Sequence, residues 1–212
     1  MHANERFWNK LAEGYSRKPV ADPDAYQAKL EATKARLRPG DKLLDVGCGT
    51  GSLALELAPH VAQVHAIDLS SEMIRIANGK AADAGVGNVT FHTGSAAELS
   101  ALGETSFDVV CAYNILHLVD DRGATLAQIF ELLEPGGHFI STTPCLGESY
   151  VPYRPVLALM RLVGKAPPVD VIRVGQLRAD LERAGFVEIT RQEVSDSKTT
   201  AFVLAQKPAA ST

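Results

Sequence analysis

The sequence predicts an α/β protein whose core is a mostly parallel β-sheet covered by helices on both faces. From Lys42 onward, short apolar runs alternate with longer amphipathic segments, which is typical of the crossover units that join parallel strands. A glycine-rich turn follows the first apolar run, where such a protein passes from a strand into a helix. Five strands are predicted at residues 43–46, 64–67, 89–92, 107–112 and 138–142.

The segments between these strands have the apolar spacing of helices. Ser70 is a good N-cap for the helix after the second strand, which carries Met73, Ile76 and Ala77 at helical spacing. Another helix is predicted to begin near Asp120 or Asp121 and to end at the Glu-Pro-Gly-Gly run 134–137, because proline and glycine stop helices.

The chain closes with a helix and two strands. The helix is predicted at residues 176–184, and the strands follow at 186–194 and 200–206. Asp196-Ser197 is a plausible hairpin turn between these two strands. Residues 208–212 are predicted to be a frayed tail.

Two segments lie outside the alternation. Residues 1–38 are predicted to form an N-terminal helical lid segment ahead of the main domain, which is predicted to span 39–207. The segment includes an amphipathic helix that opens at Asp22-Pro23, with Tyr26, Leu30 and Leu37 along one stripe. Residues 145–174 form an apolar insertion, broken by prolines, after the fifth strand. Ligands of such sheets bind at the carboxyl ends of the strands, and the insertion leaves the sheet at that end. It is expected to cover the ligand site, to pack its apolar residues on the domain, or to do both.

Composition narrows the function classes. A net charge of −4 in 212 residues provides no basic field for a nucleic acid or an anionic membrane. The three cysteines are widely spaced, which favours a reducing cytoplasm and argues against a metal site. There is neither a signal-peptide core nor a run of ~18 apolar residues. We therefore expect a soluble, cytoplasmic monomer or homodimer.

The strongest motif is the loop after the first strand, which places glycines at 47, 49 and 51. Glycine there permits positive φ and lets a ligand approach bare backbone, while the amides at the helix start suit an anionic or polar group. A dinucleotide-binding loop would have its third glycine at position 52, where Ser52 stands. The spacing therefore argues against a nicotinamide-dependent oxidoreductase.

A carboxylate ends the second strand. Asp68 follows Gly49 by 19 residues and is placed to accept hydrogen bonds from both hydroxyls of a ribose. An aspartate at a strand end is usually only a turn residue, but its distance from the glycine loop favours the ribose interpretation.

These motifs resemble the class I S-adenosylmethionine-dependent methyltransferases, in particular the small-molecule branch that includes ubiquinone and menaquinone methyltransferases. The resemblance covers roughly residues 7–207 and is most specific in the segments 45–51, 68–73, 107–110 and 133–137. It implies a three-layer, Rossmann-like, doubly wound sheet of seven strands with one antiparallel strand near the edge. S-adenosylmethionine would be the cofactor and S-adenosylhomocysteine the product.

The resemblance also implies roles for individual residues. Asp45 would organise the loop and the cofactor's ammonium group, and Asp68 would hold its ribose. Ser95 stands where the family usually has an aspartate that bonds the adenine, and Tyr15 belongs to a lid over the cofactor carboxylate. Cys48 is a small filler rather than a reactive thiol. The implied cofactor-binding residues are Tyr15, Asp45, Gly47, Cys48, Gly49, Gly51, Asp68, Leu69, Met73, Ser95, Ala96 and Asn114.

The acceptor is less defined. The run Asn114-Ile115-Leu116-His117 lacks the two prolines and the aromatic residue found in nucleic-acid amine methyltransferases, which favours a small molecule. The apolar segment 150–163 suggests a partly hydrophobic one, such as a quinone, phenol, lipid-like or polyketide compound. Candidate acceptor-side groups are His117 as a general base, Glu148, and Tyr150 and Tyr153 as walls of the acceptor pocket. A non-catalytic S-adenosylmethionine-binding protein and a nicotinamide-dependent oxidoreductase stay open as alternatives.

Overall fold

A computed structural model describes residues 3–103, 106–162, 166–194 and 197–210. The described chain forms one seven-stranded sheet in the order β3-β2-β1-β4-β5-β7-β6. The strands are β1 (Lys42–Val46), β2 (Gln63–Asp68), β3 (Val89–Thr93), β4 (Phe107–Tyr113), β5 (Leu133–Pro144), β6 (Val187–Gln192) and β7 (Thr200–Gln206).

Helices cover both faces of this sheet. They are α1 (Ala3–Ser16), α2 (Pro23–Lys34), α3 (Ser52–Leu57), α4 (Ser71–Ala84), α5 (Arg122–Leu132), α6 (Tyr153–Leu162) and α7 (Val174–Arg183). The apolar residues of the sheet and helices divide into two clusters, one around Phe107 and Phe139 and one around Leu43 and Leu57. Among the described residues, no helix combines the length and the apolar character needed to cross a membrane.

The pairing of the strands confirms the predicted fold class. Strands β1 to β5 pair in parallel, whereas β7 lies antiparallel between β5 and the edge strand β6. The sheet order reverses at β1, whose two neighbours are β2 and β4. This reversal is a topological switch point, and the carboxyl ends of the strands there form the crevice in which ligands of such sheets bind.

The predicted N-caps are present. Asp22, Ser70 and Asp121 each accept a hydrogen bond from the backbone amide three residues ahead, at 3.0, 3.1 and 2.9 Å respectively. These bonds satisfy amide groups that have no partner inside the helix, which is why short polar residues mark the starts of α2, α4 and α5.

Several predicted boundaries are wrong. Strand β5 begins at Leu133 rather than at His138, because Leu133 pairs with Phe107 ahead of a register shift in the ladder. The Pro-Gly-Gly run that was expected to lie in a loop therefore falls inside the strand, with Gly136 at φ +82°. Strand β6 is shorter than predicted, and α2 ends at Lys34, so Leu37 lies beyond its stripe.

The segments outside the alternation contain more helix than the sequence pattern indicated. The helical segment predicted at residues 1–38 contains α1 in addition to the helix that opens at Asp22-Pro23. Helix α1 lies against α4, where the Asn9 side-chain oxygen accepts a hydrogen bond from the Ser70 hydroxyl at 2.6 Å. Helix α6 forms in the insertion despite Pro155, because proline is tolerated in a first turn. Asp196 of the predicted hairpin turn, Val163 of the insertion and residues 211–212 of the tail lie outside the described residues.

Candidate active site

A cavity of about 470 Å³ lies at the carboxyl ends of β1, β2 and β4. Strand ends and loops supply its floor, α1 supplies one wall, and the loop after β4 faces the segment after α6. The predicted residues that line the cavity are Tyr15, Gly47, Gly49, Asp68, Leu69, Met73, Ser95, Ala96, Asn114 and His117. Asp45, Cys48 and Gly51 of the same loop do not line the cavity.

The glycine loop is tied to the end of β2 by its own amides. Gly47 and Cys48 both donate to the carbonyl of Ile67, at 2.8 and 3.0 Å, and Gly49 donates to Asp68 Oδ2 at 2.9 Å. The amide of Gly51 bonds the carbonyl of Cys48. These four amides are therefore already bonded within the protein, and what the loop offers a ligand at Gly47 and Gly49 is close approach to the backbone.

The glycines are required for two different reasons. A Cβ on Gly47 would come within 2.7 Å of the Ile115 side chain, and one on Gly51 within 2.8 Å of the Phe91 ring. All three loop glycines have positive φ, so any side chain there would also be strained. Gly51 serves the packing of the loop against β3 and α4, whereas Gly47 and Gly49 border the cavity.

Cys48 is a packing residue in this structure. Its side chain belongs to the core cluster around Leu43 and Leu57, and burial raises the pKa of its thiol well above the usual value. Such a thiol is a poor nucleophile, which agrees with the prediction that Cys48 is a filler.

Asp68 forms part of the cavity wall while it holds the loop. Its second carboxylate oxygen, Oδ1, accepts from the Ser70 amide at 2.9 Å. Burial raises the pKa of Asp68, and the two backbone hydrogen bonds partly oppose this rise. Each carboxylate oxygen can accept more than one hydrogen bond, so the group is still able to accept hydroxyl donors from the cavity.

Asp45 is a buried carboxylate with an unsatisfied oxygen. The residue is 1% exposed, and its Oδ2 has no hydrogen-bond partner among the residues that the structure describes. Burial, together with the charge of Asp68, raises the pKa of Asp45 to about 7. An unpaired buried acid beside Gly47 is the environment in which a positively charged ligand group is stabilised.

The side of the cavity next to β2 and β3 is mostly apolar. Met73 and Leu69 line it from the start of α4, and Ala96 lines it from the loop after β3. The Ser95 hydroxyl accepts from the Ala97 amide at 3.1 Å, so the residue that replaces the family's aspartate shapes its own turn. The combination suits a flat ring held mainly by apolar contacts.

Helix α1 forms the lid side of the cavity. Tyr15 and Trp8 line the cavity from this helix, and Tyr15 lies 3.7 Å from the position of a Cβ built on Gly49. Burial, and secondarily the charge of Asp68, raises the pKa of Tyr15. An ion pair of 2.6 Å between Glu13 and Arg75, both exposed, adds to the Asn9 contact that holds α1 on α4.

The loop after β4 brings His117 to the cavity. Asn114 starts this loop at φ +57°, and its amide donates to the carbonyl of Thr142 at 2.7 Å, so its side chain and carbonyl are the groups left for a ligand. The Nδ1 atom of His117 is buried and has no hydrogen-bond partner in the described part of the chain. Burial lowers the pKa of His117 to about 4, so the imidazole is neutral at physiological pH.

The insertion differs from its prediction. Tyr150 is fully exposed and neither it nor Tyr153 lines the cavity, so the structure does not bring these two residues to the site. Glu148 accepts from the Val174 amide at 3.0 Å and is a structural contact. The insertion instead contributes Pro167 and Val169 to the cavity wall. No motif in the sequence marks Pro167 and Val169 as residues of a site, and the same is true of Asn4 and Trp8 on α1, which also line the cavity.

Fold and site together define a class of protein. A switch-point cavity bounded by a Gly-x-Gly-x-Gly loop, with an acidic residue at the tip of β2, is the arrangement of the class I methyltransferases. Residues 37–166 match the family described as "Methyltransferase domain". The chain belongs to this family and is an S-adenosylmethionine-dependent methyltransferase, so the predicted enzyme class is confirmed.

Individual relatives agree with this assignment. The chain is 36% identical over 163 residues to a ubiquinone biosynthesis O-methyltransferase of Xanthomonas axonopodis pv. citri. The aligned region covers 74% of this chain and 68% of the relative. It is 34% identical over 161 residues to the 27-O-demethylrifamycin SV methyltransferase of Amycolatopsis mediterranei, with coverage of 75% and 58%.

A solved structure with a similar fold contains the cofactor that the family implies. It is the phosphoethanolamine N-methyltransferase 2 of Haemonchus contortus in complex with S-adenosyl-L-methionine. The TM-score is 0.69 at 19% identity, over 86% of this chain and 53% of that protein. At this identity the likeness shows the fold alone.

Proposed function

We propose that this enzyme methylates a hydroxyl group of a small-molecule acceptor that has a largely apolar body. The observation that carries the proposal is the acceptor side of the cavity. Leu118, Val119, Pro167 and Val169 line this side together with His117, and its acidic groups are Asp120 and Asp121. Apolar walls with few polar groups are typical of sites for small organic ligands.

The residues of the other side suit S-adenosylmethionine. Asp45 is buried behind the loop and does not line the cavity, so its charge would attract the ammonium group without direct contact in this conformation. Asp68 would accept from the ribose hydroxyls, and Leu69 and Met73 would contact the adenine. Tyr15 and Trp8 would close over the cofactor and exclude water. When bound, the cofactor supplies a sulfonium methyl group that is already strongly electrophilic.

The contribution of the protein is then mainly orientation. Holding an acceptor oxygen in line with the methyl group accounts for an effect of ~7–11 kcal/mol in favourable cases. Because its pKa is about 4, His117 is neutral and available to accept a proton, yet it is a weak base. We therefore expect it to orient the acceptor hydroxyl and to contribute less than the ~10²–10⁴-fold of an optimised general base.

The names of the two relatives support an oxygen as the methylated atom. One is named an O-methyltransferase of ubiquinone biosynthesis, and the other acts on a 27-O-demethylrifamycin. The net charge of −4 supports a small-molecule acceptor rather than a nucleic acid.

Cofactor binding is the first test. Calorimetric titration with S-adenosylmethionine and S-adenosylhomocysteine should show saturable micromolar binding, which Asp68→Ala abolishes and the exposed control Asp83→Ala retains. Absence of binding to the folded wild-type protein, or binding of NADH in its place, would overturn the cofactor assignment.

Methyl transfer to a panel of acceptors is the second test. With labelled S-adenosylmethionine, we expect transfer to hydroxylated aromatic or polyketide-like compounds. His117→Gln should lower kcat about 10-fold to 100-fold with little change in cofactor affinity. Activity only on acceptors without an apolar body would refute the acceptor class, and cofactor binding without any transfer would favour a non-catalytic binding protein.

A further inference from the structure

A second cavity, of about 400 Å³, lies beneath α6. It shares part of its wall with the first cavity, so the two are neighbours around His117. The shared residues are His117, Leu118, Val119, Asp120, Pro167 and Val169. A volume of this size is within the usual range for small-molecule sites.

Helix α6 is oriented in an unusual way over this second cavity. The face that lines the cavity carries Arg154, Leu157, Ala158 and Arg161, which follow the spacing of one side of a helix. Apolar residues such as Val156 and Leu159 are exposed on the opposite side. No residue of α6 is buried, and Arg154 and Arg161 are exposed as well as lining the cavity. A surface helix normally turns its apolar stripe inward, whereas α6 turns both arginines toward the cavity.

Both arginines are available to a ligand. Neither Arg154 nor Arg161 forms an ion pair with a residue in the described part of the chain, whereas Arg122 pairs with Asp170 at 2.6 Å in the same region. Asp170 is thereby neutralised, which leaves Asp120, at the His117 end, as the acidic group of the wall. The charged side chains of the cavity therefore carry a net positive charge at the α6 end.

The spacing of these groups indicates the chemistry of the ligand. Arg154 and Arg161 are two helical turns apart, or roughly 10 Å along α6, with Leu157 and Ala158 between them. Guanidinium groups bind carboxylates and phosphates through paired hydrogen bonds. An apolar chain along the helix with an acidic group at its end would use both kinds of contact.

We propose that the cavity beneath α6 binds the part of the methyl acceptor remote from the reacting hydroxyl, and that this part is an apolar chain bearing a carboxylate or phosphate held by Arg154 or by Arg161. The proposal rests on the proposed function, because it assumes that the acceptor enters past His117. It narrows the acceptor from hydrophobic compounds in general to amphipathic acids.

The test uses three probes that differ only in the head group: decanoate, decyl phosphate and decanol. Calorimetry is run on the full-length protein saturated with S-adenosylhomocysteine. For the double variant Arg154→Ala/Arg161→Ala, we expect the Kd of one or both acidic probes to rise at least tenfold and that of decanol to change less than twofold. The control Arg36→Ala, an exposed residue between α2 and β1 that lines neither cavity, should behave as wild type. The double variant Arg154→Lys/Arg161→Lys should bind the acidic probes with an intermediate Kd, since lysine keeps the charge but not the paired hydrogen bonds.

The outcomes separate this proposal from the proposed function. Equal affinity of the wild type for decanol and both acids, or acid binding that the alanine variant retains, would overturn the arginine site even if methyl transfer is observed. The double variant should keep its affinity for S-adenosylhomocysteine, which also shows that it is folded. Failure of the wild type to bind S-adenosylhomocysteine would overturn the cofactor assignment. Even then, binding of decanoate or decyl phosphate to the protein without S-adenosylhomocysteine, if it depends on the two arginines, would support the second site. Preference for decanoate or for decyl phosphate then identifies the acidic group.

Discussion

Replacing Asp45 by asparagine should make the ligand-free protein more stable and weaken its binding of the cofactor. The two side chains have the same shape, but asparagine carries no charge. The wild-type carboxylate is 1% exposed and its Oδ2 lacks a partner. Ionising it inside the folded protein is therefore costly, and the substitution removes that cost.

The size of the effect follows from the raised pKa. A change from 3.8 to about 7 corresponds to about 4 kcal/mol, at ~1.4 kcal/mol for each tenfold change in proton affinity. Because the folded-state pKa is raised, the stabilisation from protonating Asp45 is fully present below pH ~3.8 and is lost as the pH rises toward 7. The advantage of the asparagine variant should grow over the same window, to at most about 4 kcal/mol at pH 8.

Urea unfolding at pH 4, 6 and 8 measures this advantage, with the exposed Asp83→Asn as the matched control. Calorimetry with S-adenosylhomocysteine should show the opposite trend, with the Asp45→Asn variant binding about 10-fold to 100-fold more weakly because an ammonium group loses a charged partner. A variant no more stable than wild type at pH 8, or one that binds equally well, would refute the argument that Asp45 is an unpaired acid awaiting a cation.

Three further substitutions test the lid, the loop and the insertion. Gly51→Ala should lower the free energy of unfolding in urea by about 2–4 kcal/mol, because the added Cβ would meet the Phe91 ring. Gly85→Ala, also at positive φ but with open space around the added Cβ, should lower it by about 1–2 kcal/mol. Equal costs would show that the contact with Phe91 is unimportant. Arg122→Met should cost about 1–3 kcal/mol because Asp170 loses its partner and Asp180 keeps only the exposed Arg183. The exposed control Arg178→Ala should cost less than about 1 kcal/mol, and a neutral result at 122 would mean that the insertion is held by other contacts. Tyr15→Ala should raise the Kd for S-adenosylhomocysteine about tenfold while changing the free energy of unfolding by less than about 1 kcal/mol; unchanged binding would exclude a lid role.

Local chemistry explains which features were predictable from the sequence. Ser70 and Asp121 could be recognised as caps because a short polar side chain bonds a backbone amide only three residues away. The cofactor side of the site was predictable for a similar reason, since Gly47, Gly49 and Asp68 lie at the ends of β1 and β2 and reach the cavity by their positions alone. Gly51 and Cys48 have the same motif spacing but serve packing, which the motif cannot distinguish.

Features that depend on distant contacts were not predictable. Leu133 belongs to β5 only because Phe107 lies opposite it in the ladder, and Pro-Gly-Gly signals a loop when that partner is unknown. Helix α6 forms where prolines indicated a break, and it presents Arg154 and Arg161 together with Leu157 to a cavity. Tyr150 was expected at the acceptor pocket but points to solvent, because its position depends on how the insertion folds back.

The sequence by itself determined the α/β class, the glycine loop, the acidic tip of β2 and hence the methyltransferase resemblance. These are local signals, carried by backbone conformations and side chains close together in the chain. Only the tertiary structure showed that Asp45 is an unpaired acid, that the loop amides are already used, and that His117 lies between two cavities. Those properties depend on burial and on contacts between residues far apart in the chain, and burial is also what raises the pKa of Asp45 and lowers that of His117.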